Sequence, residues 1–321
     1  MAMTRRVRIT DVSPRDGLQN EPTPVATADK VRLVRAVMAA GVDEVEVSSF
    51  VSPRWVPQLG DAAEVFAALA QGGAAGVAGE GGVVLSALVP NERGLESALE
   101  VNRRAGFALI GKVSVFTAAS ETFAQRNTNG SIAQTLERFV GVIGRAKGAG
   151  LAVRGYVSCA IACPYEGDIE PGRVADVCAR LARLGVDELD LGDTIGVAEP
   201  RGVLALIEAV GRSVPPELGG GGVGGGGRRG LTLHLHDTFG RAGACVTAAL
   251  SAGVRSFDGA VGGLGGCPYA SVGGRRAPGN IDTRALVAAV RAAGYDTGVD
   301  GAGLAAAAAV AQSLGVGHGG R

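Results

Sequence analysis

Short apolar runs alternate with longer amphipathic stretches along most of this chain. The runs are rich in Val, Leu and Ile, as strands are, and cover residues 7–10, 42–47, 83–88, 113–116, 151–157, 189–191, 231–236 and 254–257. The stretches between them place apolar residues at helical spacing, as at Val31, Val34 and Met38. Two of them follow candidate N-cap residues, Thr27 and Ser131. The alternation predicts eight strands, each separated from the next by helix, in an α/β fold.

Five of the predicted helix-to-strand junctions carry a small residue or leucine followed by glycine. Glycine accepts the left-handed conformation that often ends a helix, so each junction predicts a helix C-terminus. The glycines are Gly41, Gly106, Gly150, Gly185 and Gly253. Eight βα units favour a closed (βα)8 TIM barrel over residues 1–300, with a doubly wound open sheet as the alternative. Residues 302–314 predict one extra helix in a C-terminal extension, residues 301–321, that ends in a glycine-rich tail.

Composition narrows the class of protein. A chain of 321 residues with 46% hydrophobic residues can bury one large core. Lys+Arg 31 against Asp+Glu 31 leaves no net charge, which argues against nucleic-acid or membrane-surface partners. The five cysteines form no disulfide framework, and the sequence shows neither a signal-like N-terminus nor an apolar run long enough to span a bilayer. We therefore expect a soluble, cytoplasmic protein.

Two of the three histidines, His234 and His236, lie at the end of the seventh predicted strand. Side chains two residues apart on a strand point the same way, so the two imidazoles share a face. Paired imidazoles suit a divalent metal ion, and the alternative is two histidines satisfied by hydrogen bonds. The third, His318, lies in the glycine-rich tail and is not expected to be a ligand.

The ends of the other predicted strands carry further chemical groups. In a TIM barrel the functional residues lie at the C-terminal ends of the strands. Carboxylates, a guanidinium and two thiols occur at or just beyond these ends, namely Arg15, Asp16, Glu46, Cys159, Asp193 and Cys267. All of these groups therefore converge on one rim, which strengthens the metal-site interpretation of the histidine pair.

Six segments together resemble one family. They read SPRDGLQNE (13–21), SSFVSPRWVPQLGD (48–61), RGYVSCAIACPYEG (154–167), LGDTIGV (191–197), HLHDT (234–238) and GLGGCPYA (263–270). In this order they resemble 3-hydroxy-3-methylglutaryl-CoA lyase, which belongs to the metal-dependent lyases and Claisen-type synthases that share an Arg-Asp-Gly barrel. Arg-Asp-Gly alone is a weak motif, but six segments in order over residues 7–300 are specific.

The resemblance implies a metal centre and a reaction. The implied ligands of one Mg²⁺ or Mn²⁺ ion are Asp16, His234, His236 and Asn280. Carboxylate, imidazole and amide-oxygen donors suit an octahedral ion of this kind. The implied reaction is the retro-Claisen cleavage of a 3-hydroxyacyl-CoA to acetyl-CoA and a 3-keto acid, acetoacetate for the usual substrate. A homodimer is also implied.

Roles for single residues follow from the same resemblance. Arg15 is expected to stabilise the acetyl-CoA enolate, and Cys267, in a glycine-rich loop, to protonate the departing carbanion. Glu46 and Asp193 are expected to orient ligands or to help deprotonate the hydroxyl group. Gln19 and Thr194 are expected to contact the substrate, and Cys159 and Cys163 to be packing residues.

Two departures from the family pattern leave the acyl group open. The link from Cys267 to Asn280 is longer than usual and contains Arg275 and Arg276, which either meet CoA phosphates or a substrate carboxylate or are solvated. The usual Ala-Thr-Glu-Asp is replaced by DTRA at residues 282–285. The alternatives are cleavage of a related branched 3-hydroxyglutaryl-CoA, a Claisen-type synthase, and a non-enzymatic barrel. The synthase is disfavoured by Asp237-Thr238 and by the short C-terminal extension, and the non-enzymatic barrel by the intact polar set.

Overall fold

Eight parallel strands close into a barrel in the computed structural model, which describes residues 6–71, 82–220, 228, 230–265, 271–272, 275–276 and 279–315. Each strand pairs with its neighbours in sequence, and β1 pairs with β8 to close the ring. The strands are β1 Arg8–Asp11, β2 Glu44–Ser49, β3 Val84–Leu88, β4 Lys112–Ala118, β5 Ala152–Ser158, β6 Glu188–Gly192, β7 Leu231–His234 and β8 Ser256–Gly259. The predicted (βα)8 barrel is confirmed, and the doubly wound alternative is wrong because the sheet is closed.

Helices surround the barrel and follow the strands in alternation. They are α1 Thr27–Ala39, α2 Ala62–Gln71, α3 Glu92–Ala105, α4 Glu121–Thr128, α5 Ile132–Gly148, α6 Pro171–Leu184, α7 Pro200–Ser213, α8 Ala242–Ser251, α9 Thr283–Ala292 and α10 Gly301–Ser313. Short helical turns cover Ser13–Gly17, Pro57–Leu59, Pro216–Leu218 and Val261–Gly263, and short antiparallel pairs join Ala162–Cys163 to Gly167–Asp168 and Ser271–Val272 to Arg275–Arg276. No helix within the described ranges is both long enough and apolar enough to cross a membrane.

Local sequence signals explain most of the helix ends. All five predicted junction glycines have positive φ, between 76° at Gly41 and 92° at Gly185. Ser131 is the N-cap of α5 and forms a full capping box with Gln134. The N-cap prediction for Thr27 is wrong, because α1 is preceded by Ala26 and the Thr27 hydroxyl donates instead to Asp61 at 2.7 Å.

The C-terminal extension packs back onto the first helix. α10 lies against α1, where Arg32 donates to the Ser313 hydroxyl at 3.0 Å. The two backbones approach so closely that a Cβ at Gly303 would lie 2.7 Å from Cα of Ala40. The predicted extra helix is therefore confirmed.

Apolar side chains lie between the strands and the helices, whereas the inside of the barrel is polar. Alternate strands contribute layers of inward-facing residues, as in other barrels, where bulky aliphatic residues normally fill them. From the N-terminal end upwards the layers are Glu44, Lys112, Glu188 and Ser256, then Thr10, Ser86, Arg154 and Thr232, then Glu46, Ser114, Asp190 and Asp258, all of them buried. Lys112 donates to Glu188 at 2.7 Å, and Arg154 lies 2.9 Å from the same carboxylate. Opposite charges thus face one another within the lower layers.

Candidate active site

A cavity of about 600 Å³ opens at the C-terminal ends of the strands. Six of the residues singled out from the sequence line it, namely Arg15, Asp16, Gln19, Thr194, His234 and His236. The convergence predicted from the strand ends therefore holds for these residues, because parallel strands in a barrel deliver their C-terminal ends to one rim.

The turn Ser13–Gly17, which carries Arg15 and Asp16, is fixed by the last residue of β1. The carboxylate of Asp11 accepts hydrogen bonds from the Ser13 amide at 2.9 Å, the Val261 amide at 3.0 Å and the Thr283 hydroxyl at 2.6 Å. These partners belong to the loops after β1 and β8 and to the start of α9. Asp11 therefore ties together the segments where the barrel closes.

Arg15 is buried in a cage of opposite charge and aromatic surface. Its Nε donates to Glu46 at 2.5 Å, one terminal nitrogen donates to Asp16 at 2.7 Å, and its guanidinium lies 5.4 Å from the centre of the Tyr156 ring. Burial works against the charge, but Glu46 and Asp16 outweigh it and raise the pKa of Arg15. Arg15 is therefore a fixed positive charge at the cavity wall.

Asp16, His234 and His236 form a group whose ligand atoms all lie within 4.8 Å of one another. Nε2 of His234 is 3.3 Å from Nε2 of His236 and 3.9 Å from Oδ2 of Asp16. β7 ends at His234, two residues earlier than predicted, and His236 instead bridges to Asn280 in the loop before α9. The two imidazoles nevertheless face each other across the site.

The pKa values of Asp16, His234 and His236 are shifted by burial and by neighbouring charges. Burial would raise the pKa of Asp16, but Arg15 and His234 overcome it and lower the pKa to about 2. Burial and the neighbouring His234 lower the pKa of His236 to about 4. Burial also lowers the pKa of His234, yet the carboxylates of Asp258 and Asp16 reverse the sign and raise it. An ionised carboxylate and at least one neutral imidazole are thus present at neutral pH.

Asn280 lies beside this group with its amide nitrogen towards Asp16. Nδ2 donates to Oδ2 of Asp16 at 2.8 Å and to the Leu264 carbonyl at 3.0 Å. The close fit depends on Gly265, which has a φ of 98° and whose Cβ, if present, would lie 2.5 Å from that nitrogen. The structure therefore brings Asn280 to the group, although the oxygen is the atom that a cation would need.

The remaining predicted residues occupy different depths. Gln19 and Thr194 line the cavity, and the Thr194 hydroxyl accepts a hydrogen bond from the Cys159 amide at 2.7 Å. Glu46 and Asp193 are not among the cavity-lining residues and are almost completely buried. Asp193 accepts from the amides of Val197 at 3.1 Å and Ala198 at 2.9 Å, and burial raises its pKa to about 6.

Both packing cysteines are buried, as expected. Burial raises the pKa of Cys159, and Cys163 lies 3.0 Å from the Ser120 hydroxyl. Cys267 falls outside the described residues. Arg275 and Arg276 form one strand of the short antiparallel pair.

Two residues that sequence reasoning missed complete the site. The Tyr156 hydroxyl donates to Glu46 at 3.1 Å, and its ring meets the ring of His234 edge-on at 6.4 Å. Asp258 lies 3.3 Å from Nδ1 of His234. Both are polar residues inside predicted strands or at their ends, and that position is the only sequence signal that points to them.

Fold and site together define a class: a (βα)8-barrel enzyme with a candidate centre for one divalent cation at the C-terminal ends of its strands. The sequence places the chain more finely. The profile of the HMGL-like family matches residues 6–311, and the chain belongs to that family. The resemblance drawn from the six segments is thereby confirmed.

Individual relatives agree with this placement. The chain is 45% identical over 300 residues to a 3-hydroxy-3-isohexenylglutaryl-CoA/hydroxymethylglutaryl-CoA lyase of Pseudomonas aeruginosa, covering 94% of this chain and 90% of that one. The crystal structure of a hydroxymethylglutaryl-CoA lyase from Pseudomonas aeruginosa has a TM-score of 0.84 at 43% identity, covering 100% and 97% of the two chains. An HMG-CoA lyase from Acinetobacter baumannii, solved with coenzyme A and 3-methylmalate, has a TM-score of 0.81 at 32% identity, covering 98% and 92%.

Proposed function

We propose that this protein is a divalent-metal-dependent carbon–carbon lyase that cleaves 3-hydroxy-3-methylglutaryl-CoA to acetyl-CoA and acetoacetate. The observation that carries the proposal is the group of Asp16, His234 and His236 at the wall of the cavity, with the fixed charge of Arg15 beside it. Membership of the HMGL-like family and high identity to hydroxymethylglutaryl-CoA lyases support the same activity.

The donor set fits one Mg²⁺ or Mn²⁺ ion. Two imidazole nitrogens lie 3.3 Å apart with a carboxylate nearby, so their lone pairs point into the same small space. A cation bound there would accept these lone pairs and remove their mutual repulsion. A half-turn of the Asn280 amide would exchange its nitrogen for its oxygen and supply a fourth donor. The mixture of nitrogen and oxygen ligands suits an octahedral ion with positions left for substrate oxygens. The bound cation would make the 3-hydroxyl group of the substrate more acidic.

Arg15 is placed for the charge that develops in the reaction. Cleavage of the C2–C3 bond leaves its electron pair on the acetyl-CoA fragment as an enolate, and the hydroxyl group, having lost its proton, becomes the ketone of acetoacetate. A guanidinium fixed by Glu46 and Asp16 stabilises that oxyanion without having to reorganise. We propose that Glu46 acts through Arg15 because it contacts Arg15 and does not line the cavity.

Two further roles rest on the resemblance. Cys267 is proposed as the acid that protonates the acetyl-CoA carbanion, and Gln19 and Thr194 as substrate contacts at the cavity wall. Asp193 is proposed to help fix the site, since its amide donates to the His234 carbonyl at 2.9 Å and its carboxylate holds the turn that follows β6.

A longer branched acyl group is the second candidate substrate. One relative is named for both 3-hydroxy-3-isohexenylglutaryl-CoA and hydroxymethylglutaryl-CoA. Phe116, Phe123 and Phe139 also line the cavity and offer apolar surface for a longer acyl substituent. Arg275 and Arg276, in the longer link, are proposed to contact CoA phosphates or the substrate carboxylate.

The test is a coupled assay of acetyl-CoA release by the purified protein. The substrates are 3-hydroxy-3-methylglutaryl-CoA and 3-hydroxy-3-isohexenylglutaryl-CoA, each with and without EDTA and then with Mg²⁺ or Mn²⁺ restored. We expect cation-dependent cleavage of the first and measure whether the second is cleaved. Absence of cleavage with both cations would contradict the proposal. Arg275→Ala with Arg276→Ala is expected to raise KM for the substrate.

Assembly and location are also proposals. We propose a homodimer, as the family resemblance implies, to be measured by light scattering of the purified protein. We propose that the protein acts in the cytoplasm, where one relative of similar identity is named as cytoplasmic and several others as mitochondrial.

A further inference from the structure

One of the two facing histidines is anchored from below, and the other is not. Nδ1 of His234 lies 3.3 Å from Oδ2 of Asp258, on the neighbouring strand β8 and directly paired with it in register. Nδ1 of His236 is buried and has no hydrogen-bond partner among the described residues. Because a carboxylate can only accept, the contact with Asp258 makes Nδ1 of His234 the donor and leaves Nε2 free to face His236 and Asp16.

Asp258 is itself held by charges deeper in the barrel. One terminal nitrogen of Arg154 lies 3.3 Å from Oδ1 of Asp258, and the Tyr156 hydroxyl lies 3.5 Å from Oδ2. Both Asp258 and Arg154 are almost completely removed from solvent. Arg154 and Tyr156 therefore hold the Asp258 carboxylate in the position from which it meets His234.

Asp190, His234 and Asp258 also form a second group whose ligand atoms lie within 4.8 Å of one another. Both oxygens of Asp190 are buried without a hydrogen-bond partner among the described residues, as a cation site would require. However, Arg154 lies 3.4 Å from Asp190 and 3.3 Å from Asp258 and already supplies the positive charge. A second cation there would also have to share His234 with the first. We therefore interpret Asp190 and Asp258 as residues that support His234, and not as ligands of a second metal ion.

We propose that Asp258 is a positioning residue that fixes the tautomer and ring orientation of His234, so that Nε2 points at the cation, and that Arg154 holds Asp258 in place. The inference rests on the proposed metal centre. A carboxylate behind a ligating histidine makes that nitrogen a better ligand, and removing such a partner typically weakens metal binding by roughly 10–100-fold.

The first experiment measures Mn²⁺ binding without substrate, by calorimetry, on the wild type and on Asp258→Asn. We expect one Mn²⁺ per chain in the wild type and a roughly 10–100-fold higher Kd in the variant. Glu188→Gln is the matched control, because Glu188 is also buried and lies 2.9 Å from Arg154. It belongs to the lowest layer, and its hydrogen bonds and ion pairs within the described part of the chain do not include His234. We expect its Mn²⁺ affinity to match the wild type.

The second experiment needs no variant. The ¹⁵N chemical shifts of the histidines in the cation-free wild type at pH 8 are expected to show His234 protonated on Nδ1 and bare on Nε2. The opposite tautomer would overturn the proposal even if Asp258→Asn failed to fold. Unchanged Mn²⁺ affinity in Asp258→Asn, an equal loss in Glu188→Gln, or two Mn²⁺ ions per chain would overturn it as well. A wild type that binds no divalent cation would instead overturn the metal centre of the proposed function.

Discussion

The lower and upper halves of the barrel interior both bury charge, but they use it differently. In the lower half Lys112 and Arg154 lie between Glu44 and Glu188, so each charge meets an opposite one. In the upper half Arg15 is caged in the same way, yet Asp16 and the two histidines line the cavity and bring their ligand atoms within 4.8 Å of one another.

The two halves differ in what their buried charges contribute to the protein. A buried ion pair gains little over well-packed apolar residues, because desolvation offsets most of the attraction. We therefore expect the lower network to add little net stability, whereas removing one of its members leaves the opposite charge buried without a partner. In the upper half the charged and imidazole groups lie at the wall of the cavity, where they can act on a substrate. Substitutions in the two halves should consequently separate stability from activity.

The largest effect is expected for Asp16→Ala. The change removes a donor from the group of Asp16, His234 and His236 and also a partner of Arg15. We expect loss of detectable turnover and a much higher Kd for Mn²⁺. Asp237→Ala is the control, since the Asp237 carboxylate accepts from the Ala242 amide at 2.9 Å instead of joining that group. A variant at Asp16 that binds Mn²⁺ with wild-type affinity would contradict the ligand assignment.

The complementary change in the lower half is Lys112→Met. It leaves Glu44 and Glu188 buried without the ammonium that bridges them, although Arg154 remains between them. Removing one partner of a buried pair costs about 3–5 kcal/mol, so we expect that loss in the free energy of unfolding measured with urea. The kcat of the folded fraction should stay within twofold of the wild type. A large fall in kcat without destabilisation would contradict the view that the lower half serves stability and the upper half activity.

Arg15→Met tests the upper half without removing a metal ligand. We expect kcat to fall by about 10²–10³-fold, because one donor to a developing oxyanion is worth roughly 3–4 kcal/mol. The affinity for Mn²⁺ should change little. Because Glu46 loses its main partner, unfolding must be measured in parallel. If KM rose while kcat stayed unchanged, Arg15 would be an anchor for the bound substrate instead.

Much of the fold could be predicted because its signals are local. Strand faces that pack on helices require apolar runs, and helix ends require residues such as Gly185 that tolerate positive φ. Errors occurred where a long-range contact decided the outcome. The Thr27 hydroxyl binds Asp61 instead of capping its helix, and β7 stops at His234 because His236 bridges to Asn280.

Part of the site could be predicted for a topological reason. Parallel strands bring their C-terminal ends together, so Asp16 and His234 had to be close whatever the details of packing. The polar interior could not be predicted in the same way. Glu44 and Asp190 stand in strands where charge is unusual, but no single sequence shows which partner across the barrel each one meets. Tyr156 and Asp258 were missed for that reason.

The smallest effect is expected at an exposed charge on the rim. Glu166 accepts from the Ser120 hydroxyl at 2.8 Å, the Thr122 amide at 2.7 Å and Arg173 at 3.1 Å. It thereby ties the start of α4, which forms one wall of the cavity, to the segment before α6. Burial opposes ionisation, but these donors together outweigh it and lower the pKa of Glu166 to about 2.

A pKa below that of the unfolded chain means that Glu166 stabilises the fold above pH 4.5 and that this contribution is lost as the pH falls towards 2. Because the side chain is exposed and its charge is screened, we expect Glu166→Gln to cost only about 1 kcal/mol at pH 7. The difference from the wild type, measured by urea unfolding, should shrink at pH 3. Glu64→Gln on the exposed face of α2 should stay within about 0.5 kcal/mol of the wild type at both pH values. If the difference in unfolding free energy between Glu166→Gln and the wild type did not depend on pH, the geometry of the hydrogen bonds would be its cause, and not the charge. The contrast between buried and exposed charge would then not extend to the rim.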